Sequence, residues 1–231
     1  MTSEHSFIIK VCGMREAHNI EAVMELDIDM MGFIFYPQSS RYVSHVPNVP
    51  SMFQYKYKAC NNKRPKAVGV FVNDTIENIL HKVTTYQLDC LQLHGQESVH
   101  TIRQLKQVLQ MQQLSHVEII KAINIATPTD FDLCQQYEDV ADMLLFDAKG
   151  TMAGGNGKTF DWTLLNDYQG ALPFLLSGGI GIHNIDTLCH LHHPRWQGID
   201  VNSQFELSPA LKDTRLLASF ITKIRTFKKA L

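Results

Sequence analysis

The sequence predicts an α/β fold, a (β/α)8 TIM barrel formed by residues 1–231 as a single domain, and three observations support that prediction. The chain length of 231 residues is close to the roughly 250 that are typical of this barrel. Eight short apolar runs alternate with longer stretches of mixed polarity. Glycines and polar residues cluster where the runs end, which is the face where such barrels carry their functional groups.

The eight runs have the length of strands, and most are rich in Val, Ile, Leu or Phe, as buried parallel strands are. The predicted strands are 7–11, 30–35, 67–72, 89–93, 117–123, 143–146, 173–177 and 198–201. An open, doubly wound sheet is the alternative, but it usually has fewer strands and a glycine-rich first turn. The first turn of this chain reads CGMRE and has one glycine.

Three of the intervening stretches space their apolar residues three and four apart, as amphipathic helices do: 73–86, 97–110 and 209–227. Asn73, Asp74 or Thr75 can cap the first of these helices. The stretch 46–65 contains three prolines, so we expect only a short helix there.

Composition excludes several classes of partner. The net charge of -2 favours neither nucleic acid nor a membrane surface through bulk electrostatics. The five cysteines are widely spread, odd in number and form no C-x-x-C motif, which indicates reduced thiols. No apolar run approaches the roughly 20 residues of a membrane span, and the first residues contain no apolar segment of signal-peptide length. We therefore expect a cytoplasmic protein.

The ends of predicted strands 7 and 8 together resemble a phosphate site. The stretch SGGIG contains Gly178 and Gly179, whose flexible backbone can direct N–H groups at an anion. Asn202 and Ser203 follow strand 8, which neighbours strand 7 in a barrel, and these two loops are the recurrent phosphate site of the fold. The alternative is a tight turn without a ligand.

Seven stretches at strand ends carry a family resemblance, because they recur in order along nearly the whole chain. They read KVCGM, GFIFYPQSSRYV, AVGVFVN, LQLHGQE, FDAKG with GGNGKTFDW, LLSGGIGIHNI and DVNSQFELSPALKD. In this combination the chain resembles the phosphoribosylanthranilate isomerase family. The resemblance implies a (β/α)8 barrel without metal or organic cofactor. It also implies the Amadori rearrangement of N-(5-phosphoribosyl)anthranilate to 1-(2-carboxyphenylamino)-1-deoxyribulose 5-phosphate in tryptophan biosynthesis.

The resemblance also implies roles for three residues. Cys12 corresponds to the family's general base, Asp147 to its general acid, and Arg41 to the arginine that contacts the anthranilate carboxylate. The chemistry explains these residue types: an acid must protonate the ring oxygen, and a base must remove the proton from ribose carbon 2. A free thiol has a pKa of about 8.5, so Cys12 gains from a positive neighbour.

Each of these residues has a structural alternative. Cys12 could be a buried structural thiol, Asp147 a helix cap or loop turn, and Arg41 one member of a surface ion pair. His94 ends strand 4 at the same face, and a structural hydrogen bond is its expected role. The chain departs from the common family pattern D-V-S-S-G-V-E at Asn202 and Gln204, which leaves open which side chains contact the phosphate.

Two rival functions remain open at the level of sequence. An isomerase of the same fold that acts on a phosphoribosyl imidazole typically uses two aspartates, and Cys12 in the position of the base argues against it. A non-catalytic phosphosugar-binding barrel would have lost the acid or the base, whereas this chain keeps both. The expected partner is the small phosphosugar–anthranilate substrate, and the expected state is a monomer or homodimer.

Strand parity gives a further expectation. Side chains alternate faces along a strand, so Lys10 points into the barrel if Cys12 does. A buried ammonium needs a partner, and barrel closure places strand 8 beside strand 1. We therefore expect a Lys10–Asp200 ion pair in the interior, with Lys10 also favouring the Cys12 thiolate.

Overall fold

The computed structural model describes residues 7–44, 64–148 and 161–229, and these form a closed parallel barrel. Eight strands lie in chain order around it: β1 Ile8–Val11, β2 Met30–Ile34, β3 Lys66–Phe71, β4 Cys90–Leu93, β5 Glu118–Ile125, β6 Met143–Ala148, β7 Phe174–Leu176 and β8 Trp196–Val201. Because β1 pairs with both β2 and β8, the sheet is closed. The barrel prediction and its eight strands are confirmed, and the doubly wound alternative is wrong.

Helices cover the outside of the barrel. The α-helices are α1 Ala17–Met24, α2 Ile76–Tyr86, α3 Val99–Met111, α4 Ile185–Cys189 and α5 Thr214–Lys229. Further 3₁₀ turns lie at Pro128–Leu133, Gln135–Tyr137, Trp162–Asp167, Ile182–Asn184 and Ser203–Phe205. Thr75 caps α2 by accepting from the Asn78 backbone N–H, as its residue type predicts. None of the helices in the described ranges is long and apolar enough to cross a membrane.

The predicted helix over 209–227 is confirmed only from Thr214 onward. Before it, a two-residue strand, β10 Leu211–Lys212, pairs antiparallel with β9 Glu206–Ser208. The cause is tertiary: the Asn19 side chain of α1 accepts from the Lys212 N–H at 2.7 Å and donates to its carbonyl at 2.9 Å. This amide holds Lys212 out of the helix. Residues 46–63 of the predicted short helix lie outside the described residues.

The hydrophobic core has two layers that follow from strand parity. Inside the barrel lies a small cluster of alternate strand residues: Met30, Val68, Cys90, Ile120, Ala122, Leu145 and Leu175. The larger cluster, which includes Ile9 and Val11, fills the space between the strands and the helices. Because Ile9 and Val11 face outward, Ile8, Lys10 and Cys12 face the interior.

Three aspartates, which we call the aspartate clamps, join strands in pairs at the amino end of the barrel. Asp29, Asp89 and Asp142 immediately precede β2, β4 and β6. The backbone N–H of each donates to a carbonyl in the preceding strand, and its carboxylate accepts the N–H of that same residue. The partners are Ile9 for Asp29, Ala67 for Asp89 and Ile119 for Asp142, all second in their strands.

A cation completes each clamp. Arg225 pairs with Asp29, Arg64 with both oxygens of Asp89 at 2.6 Å, and Lys106 with Asp142 at 3.1 Å. The clamps fix the strand register at the amino end of the barrel, and their cations neutralise the carboxylates there. The functional groups of such barrels lie at the opposite, carboxyl end.

Candidate active site

Cys12 lies immediately after β1 at the carboxyl end of the barrel, and its residue is 4% exposed. The absence of a side chain at Gly32 on β2 makes room for the thiol, because a Cβ there would lie 2.7 Å from the Cys12 Sγ. The next residue, Gly13, has a φ of +76°, a left-handed conformation that glycine adopts without strain. Its missing Cβ also leaves room for Arg41 and Asn202, each with an atom 2.7 Å from that position. The strand therefore ends in a turn that brings three polar side chains close together.

The expected interior ion pair is present. Lys10 and Asp200 are register partners on β1 and β8, and Lys10 Nζ lies 2.9 Å from Asp200 Oδ1. The contact is an ion pair rather than an aligned hydrogen bond, and both side chains are buried. Burial alone lowers the pKa of Lys10, but the charges of Asp200 and Cys12 raise it above its usual value, so the ammonium is retained.

Two opposing effects set the protonation of Cys12. Burial raises the pKa of the thiol and gives the net direction, and the negative charge of Asp200 also raises it, while the positive charges of Lys10 and Lys212 lower it. The charge of Lys10 acts in the expected direction, toward the thiolate, and Lys212 adds a second cation that the sequence did not indicate.

Asp147 lies near the end of β6 and is 7% exposed. His94, which follows β4, contacts it: His94 Nε2 lies 3.2 Å from Asp147 Oδ2, and His94 Nδ1 lies 2.8 Å from Gln92 Nε2. When the Gln92 amide donates to Nδ1, the neutral ring donates from Nε2 to the carboxylate. This orientation leaves Gln92 Oε1 without a hydrogen-bond partner among the described residues. The expected structural hydrogen bond of His94 therefore goes to the candidate acid itself.

The loop that carries His94 is fixed by a buried ion pair. Lys121 Nζ contacts Glu97 Oε2 at 3.0 Å and donates to the carbonyls of Leu93 and Gly95 at 3.1 and 2.8 Å. Glu97 also accepts from the backbone N–H groups of Gly95 and Asn73. Because His94 lies between Leu93 and Gly95, this network fixes the backbone on both sides of it.

Arg41 lies in the loop after β2, and its guanidinium pairs with Glu206. Arg41 Nε lies 2.9 Å from Glu206 Oε1, and Arg41 Nη2 lies 2.7 Å from Oε2. Arg41 therefore does form an ion pair, the structural alternative considered above, but with side chains 12% and 5% exposed the pair is largely buried beside Gly13 rather than on the surface. Sequence reasoning did not identify Glu206 as the partner of Arg41.

Asn202 reaches the same cluster from the end of β8. Its Oδ1 accepts from Lys212 Nζ at 2.7 Å, and Lys212 Nζ also contacts Glu206 Oε1 at 2.7 Å. The Asn202 side chain thus faces Lys212 and Gly13. Ser203 begins the 3₁₀ turn that follows.

Gly178 and Gly179 form the turn after β7, with φ values of +86° and +66°. Two successive residues in this left-handed region are strained for any side chain but permitted for glycine. Asn184 holds the turn by donating to the Gly179 carbonyl and accepting from the Gly181 N–H, both at 3.0 Å. A Cβ on Gly181 would lie 3.2 Å from the Gln204 Cβ, so the loops after β7 and β8 are adjacent. The stretch 149–160, with most of the GGNGKTFDW motif, lies outside the described residues.

The fold is a (β/α)8 barrel, and a cysteine, an aspartate and two lysines are buried at or near its carboxyl end, the end where enzymes of this fold have their active sites. A family model described as N-(5'phosphoribosyl)anthranilate (PRA) isomerase matches residues 9–223. The chain is also 46% identical over 219 residues to N-(5'-phosphoribosyl)anthranilate isomerase of Parabacteroides distasonis, a match that covers 94% of this chain and 93% of the relative. The protein belongs to the PRA isomerase family.

Solved structures agree with this assignment. The phosphoribosyl anthranilate isomerase of Thermotoga maritima is 29% identical, with a TM-score of 0.74 over 97% of this chain and 100% of that one. A structure of the same enzyme class in complex with reduced 1-(o-carboxyphenylamino)-1-deoxyribulose 5-phosphate is 26% identical, with a TM-score of 0.71 and the same two coverages.

Proposed function

We propose that this protein converts N-(5'-phosphoribosyl)anthranilate to 1-(2-carboxyphenylamino)-1-deoxyribulose 5-phosphate, with Asp147 as general acid and Cys12 as general base. The observation that carries the proposal is the joint burial of a thiol and a carboxylate at one end of a barrel whose family catalyses this reaction. Both groups project from strand ends, which are rigid and therefore suited to aligning two proton transfers.

The first step opens the furanose ring. Asp147 donates its proton to the ring oxygen while the anthranilate nitrogen lends its lone pair to carbon 1, so the carbon–oxygen bond breaks and an iminium forms. His94 contacts the Asp147 carboxylate and holds it in one orientation. The iminium withdraws electrons from carbon 2, which makes the proton on that carbon acidic.

The second step removes that proton. The Cys12 thiolate takes it, and the resulting enolamine becomes the ketone as carbon 1 takes a proton from water and the hydroxyl gives one up to water. Proton exchange with water then returns Cys12 to the thiolate and Asp147 to its protonated form. Burial makes the thiolate a strong base, because the same effect that raises the pKa of Cys12 raises the proton affinity of its ionised form. Lys10 and Lys212 oppose that effect and favour the thiolate, while burial sets the net direction.

We assign the two ends of the substrate to three loops, those after β7 and β8 for the phosphate and the one after β2 for the carboxylate. The backbone N–H groups of Gly178 and Gly179 and of the turn after β8, with Asn202 and Ser203, are proposed to hold the phosphate. Arg41 is proposed to bind the anthranilate carboxylate, because a guanidinium can bind a carboxylate through two parallel hydrogen bonds.

Complementation of a tryptophan-requiring strain that lacks this isomerase tests the function, together with the time-dependent loss of anthranilate-type fluorescence in the purified protein. Asp147→Asn keeps the shape of the acid but cannot donate the proton, and Cys12→Ser replaces the thiol with a hydroxyl that is much harder to ionise. We expect each to lower kcat by roughly 10²–10⁴ with little change in substrate affinity.

Near-normal turnover in either variant would remove that residue from the mechanism. Cys90→Ser is a matched control. Cys90 is also a buried thiol, but it is the first residue of β4, at the amino end of the barrel, where it contacts Glu118. A fluorescence change that is complete at stoichiometric ligand and independent of time would favour the non-catalytic phosphosugar-binding barrel instead.

A further inference from the structure

The buried carboxylate of Glu206 has no place in the two proton transfers, yet two cations and a backbone N–H converge on it. Its Oε1 accepts from Arg41 Nε at 2.9 Å, from Lys212 Nζ at 2.7 Å and from the Ala210 N–H at 3.1 Å. Its Oε2 accepts from Arg41 Nη2 at 2.7 Å. The side chain is only 5% exposed, so burying it depends on these partners.

Glu206 stays ionised and faces two basic side chains. Burial raises the pKa of Glu206, but hydrogen bonds from Arg41 and the charge of Lys212 lower it below its usual value. Two cationic side chains, Arg41 and Lys212, therefore face one carboxylate beside Cys12 and Gly13, and burial lowers the pKa of Lys212. Such a cluster can accept one further anion, whereas an isolated Arg41–Glu206 pair would be neutral.

The geometry of Arg41 shows where that anion can bind. A guanidinium has two edges that fit a carboxylate, one formed by Nε and Nη2 and the other by Nη1 and Nη2. Glu206 occupies the first edge. No hydrogen bond among the described residues uses Nη1, and the Arg41 stem lies against Gly13, 2.7 Å from where a Cβ would be.

We propose that Glu206 is a positioning residue that fixes Arg41 by its Nε–Nη2 edge, so that the Nη1–Nη2 edge is presented to the carboxylate of the substrate's aromatic ring. This inference rests on the proposed function, because it takes the substrate to be a 2-carboxyphenylamino sugar phosphate. Lys212 supports the arrangement from β10 by holding Glu206 and Asn202 together. The short hairpin of β9 and β10 is then the element that links the carboxylate site to the end of β8.

Glu206→Gln tests the proposal because the amide keeps the shape of the side chain and removes its charge. We expect KM to rise about tenfold, the typical effect of one lost charge-assisted contact, while kcat changes by less than about threefold. Titration should show the same loss for the reduced product analogue, which carries the carboxylate. Binding of its phenylamino counterpart, which lacks the carboxylate, should change little.

Asp89→Asn is the matched control, since it breaks a similarly bidentate pair with Arg64 at the amino end of the barrel. Its KM should equal that of the wild type. In an Arg41→Lys background, Glu206→Gln should add little further loss of analogue binding, because a positioning residue acts through the residue it positions.

Three outcomes would overturn the proposal. Tighter binding of the carboxylate analogue to Glu206→Gln would show that Glu206 competes for Arg41. Equal weakening of both analogues, or full additivity with Arg41→Lys, would show that Glu206 acts elsewhere. If Glu206→Gln does not fold, Glu206→Asp is the second variant, because it keeps the charge but shortens the reach. We expect it to weaken binding of the carboxylate analogue more than binding of the phenylamino counterpart, by a smaller factor than Glu206→Gln. Equal effects on the two analogues would likewise overturn the proposal. These tests require a wild-type protein that turns over the substrate. A wild-type protein that shows neither turnover nor analogue binding would refute the proposed function itself.

Discussion

At the scale of the residue, Cys12 shows how a barrel interior adjusts the basicity of a thiol. Burial disfavours the thiolate, and Lys10 and Lys212 favour it. Neither lysine side chain is free to move away from Cys12, because Lys10 pairs with Asp200 and Lys212 donates to Asn202 and Glu206. The two cations are therefore fixed charges whose removal should change the ionisation of Cys12 directly.

Replacing Lys10 with methionine should shift the pH dependence of activity to higher pH. The ammonium lowers the pKa of Cys12, so Lys10→Met raises it further and leaves less thiolate near neutral pH. We expect the rising limb of kcat/KM against pH, and the pH dependence of Cys12 alkylation, to shift to higher pH together. Lys66→Met is the control, since Lys66 pairs with Glu118 where β3 and β5 begin. An alkylation profile that coincides with the wild type would contradict an electrostatic role for Lys10.

At the scale of the element, the aspartate clamps join β1 to β2, β3 to β4 and β5 to β6. Each clamp uses one residue to accept a backbone N–H, donate its own and bind a cation. Since side chains at this end do not belong to the proposed site, the clamps should contribute to stability and not to turnover.

Asp89→Asn should separate these two properties. The amide cannot pair with Arg64 as a charge and can no longer offer two acceptor oxygens, so we expect the free energy of unfolding to fall by about 1–3 kcal/mol. The measurement is urea denaturation followed by circular dichroism. Asp186→Asn removes an exposed pair with Lys223 and should cost less than about 1 kcal/mol. Equal losses for the two variants would mean that the clamp contributes no more than a surface ion pair.

At the scale of the whole molecule, the Lys10–Asp200 pair lies where the barrel closes. The first and last strands of the barrel, β1 and β8, are neighbours. Their backbones pair with Lys10 and Asp200 in register, and the ion pair joins the two strands inside the barrel. Burying two charges costs about as much as their attraction returns, so the pair contributes more to register than to net stability.

A double substitution tests that statement. Lys10→Met leaves the Asp200 carboxylate buried without its partner and should lower the free energy of unfolding by about 3–5 kcal/mol. Lys10→Met with Asp200→Leu should recover much of that loss, measured by urea denaturation, but should not recover activity. Losses that simply add would show that the two side chains are not energetically coupled.

The sequence predicts the barrel and the positions of its strand ends because both follow from local patterns. Parity along β1 and the closure of the sheet were enough to predict the Lys10–Asp200 contact. The pairing of Arg41 with Glu206 could not be predicted in this way, since no strand register relates the loop after β2 to β9. Lys212 was placed in a helix by local propensity, and only the distant Asn19 amide reveals that its backbone is extended.

His94 shows the same limit within the site. Its place at the end of β4 indicated the correct face, but the sequence contained no signal that its ring meets Asp147 rather than a backbone group. The roles of Cys12, Asp147, Arg41, Gly178, Gly179, Asn202 and Ser203 remain predictions for the variants described above.

The aspartate clamps also bear on how this barrel can be divided. They fasten strands two at a time, and the junction between β4 and β5 carries no clamp among the described residues. Cutting the chain near Gln113, a residue with a φ of +60° in the connection between β4 and β5, would leave two intact clamps in β1 to β4 and one in β5 to β8. A break between β5 and β6 would instead separate Ile119 from Asp142. Three of the four successive strand pairs are thus fastened by a clamp, and a division between β4 and β5 is one that leaves all three clamps intact.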